Sequence, residues 1–209
     1  MSRPRLRGRL HQIAFVLAIP QGAALVAAAA GWVERLAAAV YAVSLAGLYG
    51  VSSLYHRLRW SPRALLRMRR GDHAMIYVLI AGTYTPVSLL VLGGPWGMAL
   101  LGVVWMGAVA GVLMKVFGME RTRVITGALY IVLGWLAVIA APWLVTRLSG
   151  VVLALVVAGG LIYTAGAVVL FRRRPDPAPA VFGYHEIWHA AVVCAAACHY
   201  AAIFLLVTA

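Results

Sequence analysis

Acidic residues are scarce in this chain, which has five Asp and Glu among 209 residues. Charged residues of both signs make up 11% of the sequence, whereas ordinary soluble domains have about 25%. A soluble globule with so little charge would expose large apolar patches and aggregate. With 64% hydrophobic residues the sequence also excludes intrinsic disorder, which requires low hydrophobicity. A polytopic membrane protein is the class that remains.

Cysteine is also rare, because the chain has only Cys194 and Cys198. Two cysteines cannot build a disulfide framework, and their spacing is not that of a CxxC metal pair. They lie four residues apart in one apolar run, so they face the same side of a helix and cannot bridge each other comfortably. We expect both to serve as small buried apolar residues.

Long apolar runs make up most of the sequence. A helix that crosses a hydrocarbon layer of about 30 Å needs about 20 apolar residues, and its backbone polar groups must be paired internally. Barrel strands would alternate in polarity, which these runs do not. The sequence therefore predicts an all-α bundle of seven transmembrane helices in a single membrane domain, residues 1–209. The predicted spans are approximately 12–31, 36–56, 72–92, 96–114, 123–144, 150–171 and 184–208.

Basic residues lie almost entirely in alternate connections between these runs. Of the 18 Lys and Arg, only Arg35 and Arg147 fall in the other connections. Because short loops rich in Lys and Arg stay cytoplasmic, we expect a cytoplasmic N-terminus and an outside C-terminus. The remaining basic residues are Arg3, Arg5, Arg7, Arg9, Arg57, Arg59, Arg63, Arg67, Arg69, Arg70, Lys115, Arg121, Arg123, Arg172, Arg173 and Arg174.

This division of the charge among four short loops also indicates the partners. It argues against nucleic acid, which would need one concentrated basic surface. We expect a multi-pass protein of the inner (plasma) membrane whose partner is the lipid bilayer, with a lipid as substrate and with oligomerisation left open. The first apolar run, which follows arginines and ends in Ala27–Ala30, also matches the pattern of a signal peptide, and this alternative stays open.

Four ionisable side chains fall at the cytoplasmic ends of predicted helices. His56 ends the second helix, Asp72 begins the third, and His185 and His189 begin the seventh. Ionisable groups inside a membrane are costly and by default mark function. The predicted topology brings this carboxylate and these three imidazoles to one side of the membrane at a similar depth.

The spacing of the histidines is typical of a metal site. His185 and His189 share one helical face, and His56 would complete a set of three imidazoles. Three protein ligands with a fourth position left for water is the pattern of catalytic zinc, although imidazole also suits copper, iron or nickel. Asp72 either accepts a proton from the activated water or orients a ligand imidazole. Ser52 stands one turn before His56 on the same face, and we expect its hydroxyl to take part in catalysis by contacting the metal-bound water or a substrate oxygen. A single membrane histidine is more often a helix–helix hydrogen bonder, but the set of five favours a metal site.

Other polar residues receive simpler interpretations. We expect His11 to be solvated at the cytoplasmic rim and His73 to face lipid headgroups. His199 shares the helical face of His185, but it lies about 21 Å further along the axis, so we expect it to bond a neighbouring helix. Glu186 is expected to neutralise a nearby arginine and to have no catalytic role.

Three motifs give the chain a family resemblance. The segment 52–56 resembles the Ser-x-x-x-His motif of the hemolysin III and progestin/adipoQ receptor family. The segments 72–77 and 82–86 look like the third-helix signature of that family, and the segment 185–189 resembles its seventh-helix signature. The short N-terminal tail and loops look like the bacterial hemolysin III branch.

The resemblance implies a zinc ion held by His56, His185 and His189, with Ser52 and Asp72 beside the metal. It implies a metal-dependent, ceramidase-like hydrolase that acts on the amide bond of a lipid. Two alternatives stay open. One is a membrane-permeabilising hemolysin, and the other is a non-enzymatic receptor or membrane-homeostasis protein with structural zinc.

Overall fold

A computed structural model of the chain describes residues 4–118 and 123–209. Arg3 and Arg121 lie outside the described residues, as does the side chain of Arg123. The regular structure of the described part is helical, with a π-helical segment at Val87–Leu92 and a 3-10 turn at Leu136–Val138. The α-helices are α1 (Arg9–Ala28), α2 (Trp32–Arg57), α3 (Pro62–Pro86), α4 (Gly94–Val116), α5 (Arg123–Trp135), α6 (Ala141–Arg147), α7 (Gly150–Arg172) and α8 (Tyr184–Val207).

Six of the described helices are long and apolar enough to cross a membrane. The number is seven if two shorter helices that meet at a bend are taken together as one span. The prediction of an all-α protein with multiple membrane-spanning helices is therefore confirmed. The predicted fifth span, 123–144, is not one continuous helix, because its two parts meet at an angle of 49°. Pro142 lies in the first turn of α6, where a residue without an N–H suits the start of a new helix.

The third helix begins at Pro62, ten residues before the predicted start. The Ser61 side chain caps its first turn by accepting a hydrogen bond from the Ala64 N–H, and proline is favoured at the first helical position. The expectation that Asp72 begins this helix was wrong, since Asp72 lies well inside α3. Hydropathy detects the apolar part of a helix, whereas this polar, arginine-rich beginning extends beyond it.

Four helices surround the core that concerns function. α1 packs on α2, α2 packs on α3, and α8 contacts all three. Tyr41 of α2 is completely buried among them, and its hydroxyl donates a hydrogen bond to the Ala196 carbonyl of α8 at 3.2 Å. Small residues allow close helix approach, as where Gly22 of α1 meets Ala42 of α2. The first apolar run is thus an integral part of the described bundle.

Arg35 and Arg147, at the end of the bundle away from the histidine group, donate hydrogen bonds to the ends of helices. Arg35 donates to the Ala29 carbonyl at 3.2 Å, just beyond α1. Arg147 donates to the carbonyls of Val91 and Leu92 at 3.0 and 2.6 Å. Helix C-terminal carbonyls have no partner within their own helix, so both arginines fill a structural need there.

The cysteine expectation holds only in part. Neither cysteine forms a disulfide, but Cys194 is exposed on the surface of α8 and Cys198 is partly buried. The expectation that both are buried was therefore wrong. Because α8 is apolar on nearly every side, its sequence does not distinguish a surface that contacts other helices from one that faces lipid.

Candidate metal centre

The three predicted ligand histidines come together at one end of the bundle. Each of His56, His185 and His189 offers one ring nitrogen, and these nitrogens all lie within 4.8 Å of one another. His56 stands near the C-terminus of α2, and the other two occupy the first two turns of α8. The group is largely buried, because His56 and His189 are 8% and 3% exposed.

Two of these nitrogens have the spacing expected of two ligands around a single metal ion. Nε2 of His185 lies 3.3 Å from Nε2 of His56. Two imidazole nitrogens bound to one tetrahedral zinc at about 2.0–2.1 Å would be separated by about 3.3–3.4 Å. Nδ1 of His189 is buried without a hydrogen-bond partner, which is unfavourable unless something else satisfies it. The three residues could therefore hold a metal, and their assignment as zinc ligands stays a prediction.

Asp72 and Ser52 lie beside this group. Oδ2 of Asp72 is 3.9 Å from Nε2 of His56, which is too long for a hydrogen bond. The Ser52 hydroxyl, buried one turn before His56, makes a side-chain hydrogen bond to the Asp72 carboxylate. The carboxylate faces the same His56 nitrogen that approaches His185. A group bound at the metal position would therefore lie on the side of Asp72. To orient His56 as a ligand, Asp72 would have to contact the other side of the ring, which it does not face.

His11 is the residue that sequence reasoning misplaced. It is 3% exposed, and its ring stacks on that of His189 with centroids 3.9 Å apart and planes 9° from parallel. Neither of its buried ring nitrogens makes a well-formed hydrogen bond. The expectation of a solvated His11 was wrong because the first turn of α1 packs between α2 and α8. A sequence signal existed, since His11 continues the spacing of the buried small residues Ala14, Ala18 and Gly22.

The segment that precedes α1 covers the histidine group. Arg7 forms an ion pair with Glu186, which is 1% exposed, so the expectation that Glu186 neutralises an arginine is confirmed. Gly8 has a φ of 76°, and a Cβ added there would lie 2.5 Å from the Cβ of His56. Only glycine allows the backbone to approach this candidate ligand so closely in that conformation.

The two remaining histidines are not part of the group of three whose ring nitrogens come together. His73 is exposed. Nε2 of His199 lies 3.3 Å from the Val156 carbonyl of α7, so the expectation that His199 bonds a neighbouring helix is confirmed. Gly159 lets α7 come this close, because a Cβ at that position would clash with the His199 ring.

These features define a multi-pass helical membrane protein that has a buried three-histidine group at one end of its bundle. The chain matches the family described as "Haemolysin-III related" over residues 1–200. It therefore belongs to the haemolysin III family, as the three motifs indicated. The family assignment covers nearly the whole chain, including every residue of the candidate metal centre.

Relatives from bacteria and animals agree with this assignment. The chain is 36% identical over 183 residues to "Hemolysin-3" of Bacillus cereus, covering 86% of this chain and 80% of the relative. It is 34% identical over 187 residues to "Hemolysin-3 homolog" of Bacillus subtilis (strain 168), covering 88% and 84%. A human protein, "Monocyte to macrophage differentiation factor", is 29% identical over 176 residues, covering 82% and 70%.

Proposed function

We propose that this protein is a zinc-dependent membrane hydrolase that cleaves the amide bond of a lipid. The observation that carries the proposal is the group of three imidazoles with a carboxylate beside it, in a buried site at the end of a membrane bundle. A zinc ion held by three imidazoles acts as a Lewis acid that activates a water and polarises a carbonyl. The membrane location suits a lipid that enters sideways from the bilayer.

Asp72 and Ser52 have different roles in the proposed hydrolysis. The Asp72 carboxylate accepts a proton from the attacking water and passes it to the departing amine. The water oxygen forms a new bond to the carbonyl carbon as the carbon–nitrogen bond breaks, which yields a carboxylate and an amine. The hydrogen bond from Ser52 holds the Asp72 carboxylate in place for both transfers.

The membrane orientation forms part of this proposal. Arg5, Arg7, Arg57 and Arg59 lie at the same end of the bundle as the histidine group, because they line one cavity together with His56. Basic residues in short loops stay on the cytoplasmic side. We therefore place the metal centre at the cytoplasmic face of the inner (plasma) membrane, with the N-terminus inside and the C-terminus outside.

The experiment that tests the proposal combines metal analysis with a cleavage assay. Purified protein in detergent micelles is analysed for bound metal and incubated with fluorescent ceramide as the amide probe, and membranes from producing cells are compared by lipidomics. We expect about one zinc per chain and release of a fatty acid, since catalytic sites of this type hold one ion. Asp72→Ala and Asp72→Asn should lose turnover and keep zinc. His73→Ala is the matched control, because the neighbouring His73 is exposed.

Two results would contradict the hydrolase. Turnover retained in both Asp72 variants would exclude the proton transfer assigned to this carboxylate. Bound zinc without cleavage of any lipid would instead favour a structural zinc in a receptor or membrane-homeostasis protein. In that case removal of the metal would lower the melting temperature and leave the lipid composition unchanged.

Membrane permeabilisation is the second candidate, and the names of the two bacterial relatives favour it. Its test is dye release from phosphatidylcholine liposomes by the purified protein. Release that is equal for wild type and His56→Ala would support a cytolytic function that does not need the metal centre. Release that requires His56 would connect the two activities.

A further inference from the structure

A cavity of about 620 Å³ opens at the basic end of the bundle, directly beside the candidate metal centre. His56 forms part of its wall, so one of the proposed metal ligands borders the cavity. Four arginines, Arg5, Arg7, Arg57 and Arg59, also line it. Four guanidinium groups around one cavity form a concentrated positive site, unlike basic residues that are dispersed over a membrane-facing surface.

Most of this positive charge is not neutralised within the described part of the chain. Arg7 is paired with the buried Glu186. Arg5, Arg57 and Arg59 form no ion pair with any carboxylate of the described residues. The cavity thus carries an excess of about three positive charges, and a concave site of one sign attracts and concentrates ions of the opposite sign.

Both walls of the cavity are held by hydrogen bonds. On the N-terminal side, the Arg5 and Leu6 N–H groups donate to the carbonyls of Ala180 and Val181 at 3.0 and 3.2 Å. On the α2 side, the indole N–H of Trp60 donates to the Leu54 carbonyl at 3.1 Å. Because the backbone that carries the arginines is fixed before a ligand arrives, less ordering entropy opposes binding.

The chemistry of the cavity selects its ligand. Guanidinium groups bind phosphate and carboxylate oxygens through paired N–H donors. Three unpaired guanidiniums match a phosphate ester, which has several oxygens and up to two negative charges, better than a carboxylate with one. The cavity lies where the end of α2 leaves the bundle, which is the level of lipid headgroups in a spanning helix.

We propose that this cavity binds the phosphate ester headgroup of an amphiphile whose scissile acyl bond reaches the metal centre. The inference rests on the proposed hydrolase, because it names the class of substrate for that same site. The arginines hold the anionic headgroup in the cavity and the acyl chain extends into the bilayer. The bond between headgroup and chain is thereby directed to His56 and its neighbours.

The test measures binding without turnover, using the full chain in dodecyl maltoside micelles and dodecyl phosphate as the probe. In the double variant R57Q/R59Q we expect the dissociation constant to rise about tenfold or more, since each lost charge-assisted hydrogen bond weakens binding. R63Q/R67Q is the matched control, because these arginines are exposed on the adjacent helix α3 and do not line the cavity. Its affinity should stay that of wild type. If R57Q/R59Q aggregates, Arg5→Gln tests the opposite wall.

Three outcomes would overturn the proposal. Equal losses in R57Q/R59Q and R63Q/R67Q would indicate general attraction of anions to the basic surface. Binding that survives R57Q/R59Q and is lost in His189→Ala would assign the phosphate to the metal. Inorganic phosphate that binds as tightly as dodecyl phosphate would overturn the assignment to an amphiphile and identify a soluble anion as the ligand.

Failure of the proposed function has a different signature. A protein that cleaves no lipid amide but binds dodecyl phosphate through Arg57 and Arg59 contradicts the hydrolase and supports this headgroup site. A protein that cleaves ceramide as well in R57Q/R59Q as in wild type, and does not bind dodecyl phosphate, supports the hydrolase and overturns the headgroup site.

Discussion

His11 of α1 stacks face to face on His189 of α8, with ring centroids 3.9 Å apart. This contact joins the first helix to the last one at the candidate metal centre. Because His189 is one of the three potential ligands, the His11 ring limits the orientations that the His189 imidazole can adopt. His11 lies outside the group of three whose nitrogens approach within 4.8 Å, so we expect it to position His189 and not to bind the metal itself.

His11→Ala should therefore weaken metal binding without removing a ligand. We expect the dissociation constant for Zn²⁺ or Co²⁺ to rise about tenfold, as for other changes to the groups that orient a ligand. Competition with a chromogenic chelator measures the affinity, and the Co²⁺ absorption spectrum reports ligand geometry. His73→Ala should change neither quantity. An unchanged spectrum and affinity in His11→Ala would show that the stacking is only helix packing.

Removal of the metal should destabilise the protein. A ligand that binds the folded state alone raises the free energy of unfolding, by about 4 kcal/mol at a thousandfold excess over its dissociation constant. We expect chelation to lower the melting temperature of wild type and zinc to restore it. His189→Ala should melt at the same temperature with and without chelator. A wild-type melting temperature that ignores the chelator would contradict the assignment of a metal site.

Ser52→Ala should reduce turnover while leaving the metal content unchanged. The hydroxyl of Ser52 contacts the Asp72 carboxylate, so its loss leaves the proposed proton acceptor less well oriented. We expect a decrease of about 10- to 100-fold in ceramide cleavage. The matched control is Ser53→Ala, which removes a neighbouring buried hydroxyl from a different side of α2. Equal rates in the two variants would exclude the positioning role of Ser52.

Gly8→Ala should displace the segment that covers the metal centre. The added methyl group would lie 2.5 Å from the Cβ of His56, and the φ of 76° is unfavourable for alanine. The left-handed conformation alone costs about 1–2 kcal/mol. We expect a lower melting temperature and faster proteolysis before residue 9.

The matched control for Gly8→Ala is Gly160→Ala in α7, where nothing lies within 4 Å of the added Cβ. This variant should be as stable as wild type or slightly more so, because alanine favours a helix. A Gly8→Ala protein that melts and resists protease like the control would show that the covering segment tolerates the methyl group.

Arg147→Gln should destabilise the opposite end of the bundle. The variant loses the hydrogen bonds that Arg147 donates to the carbonyls of Val91 and Leu92. A hydrogen bond from a charged group contributes about 1.5–3 kcal/mol where its acceptor is shielded from water, so we expect the partly buried bond to Leu92 to dominate and the exposed bond to Val91 to contribute less. Thermal unfolding in micelles measures the change, with the exposed Arg172→Gln as control. Metal content should stay that of wild type, because the substitution affects the end of the bundle that is distant from the candidate metal centre.

The sequence predicted more of the helices than of their contacts. Apolar runs of membrane length located the spans because lipid requires about 20 apolar residues of each crossing helix. The polar beginning of α3 at Pro62 and the bend between α5 and α6 escaped prediction. Hydropathy detects only apolar residues, so it misses the arginine-rich start of a helix. It also does not distinguish a bent helix from a straight one.

The candidate ligands were predictable from the spacing of residues along the sequence and from the charge pattern. Two histidines four residues apart must share a face of one helix, and the charge pattern placed His56 at the same end. The structure brings these three together, while their roles, with those of Asp72 and Ser52, stay predictions. The stacking of His11 on His189 was not predictable from spacing, because the two residues lie on helices that are distant in sequence.

The sequence by itself thus determined the class of protein, the approximate positions of the spans, the family and the residues that could hold a metal. The class and the spans depend on composition, the candidate ligands on local spacing, and the family on the resemblance of three motifs. Only the tertiary structure decided that His11 is buried against His189 and that Arg5 and Arg57 line one cavity. Helices that are apolar on every side can pack in many arrangements, so the partner of each face is fixed by contacts between distant segments.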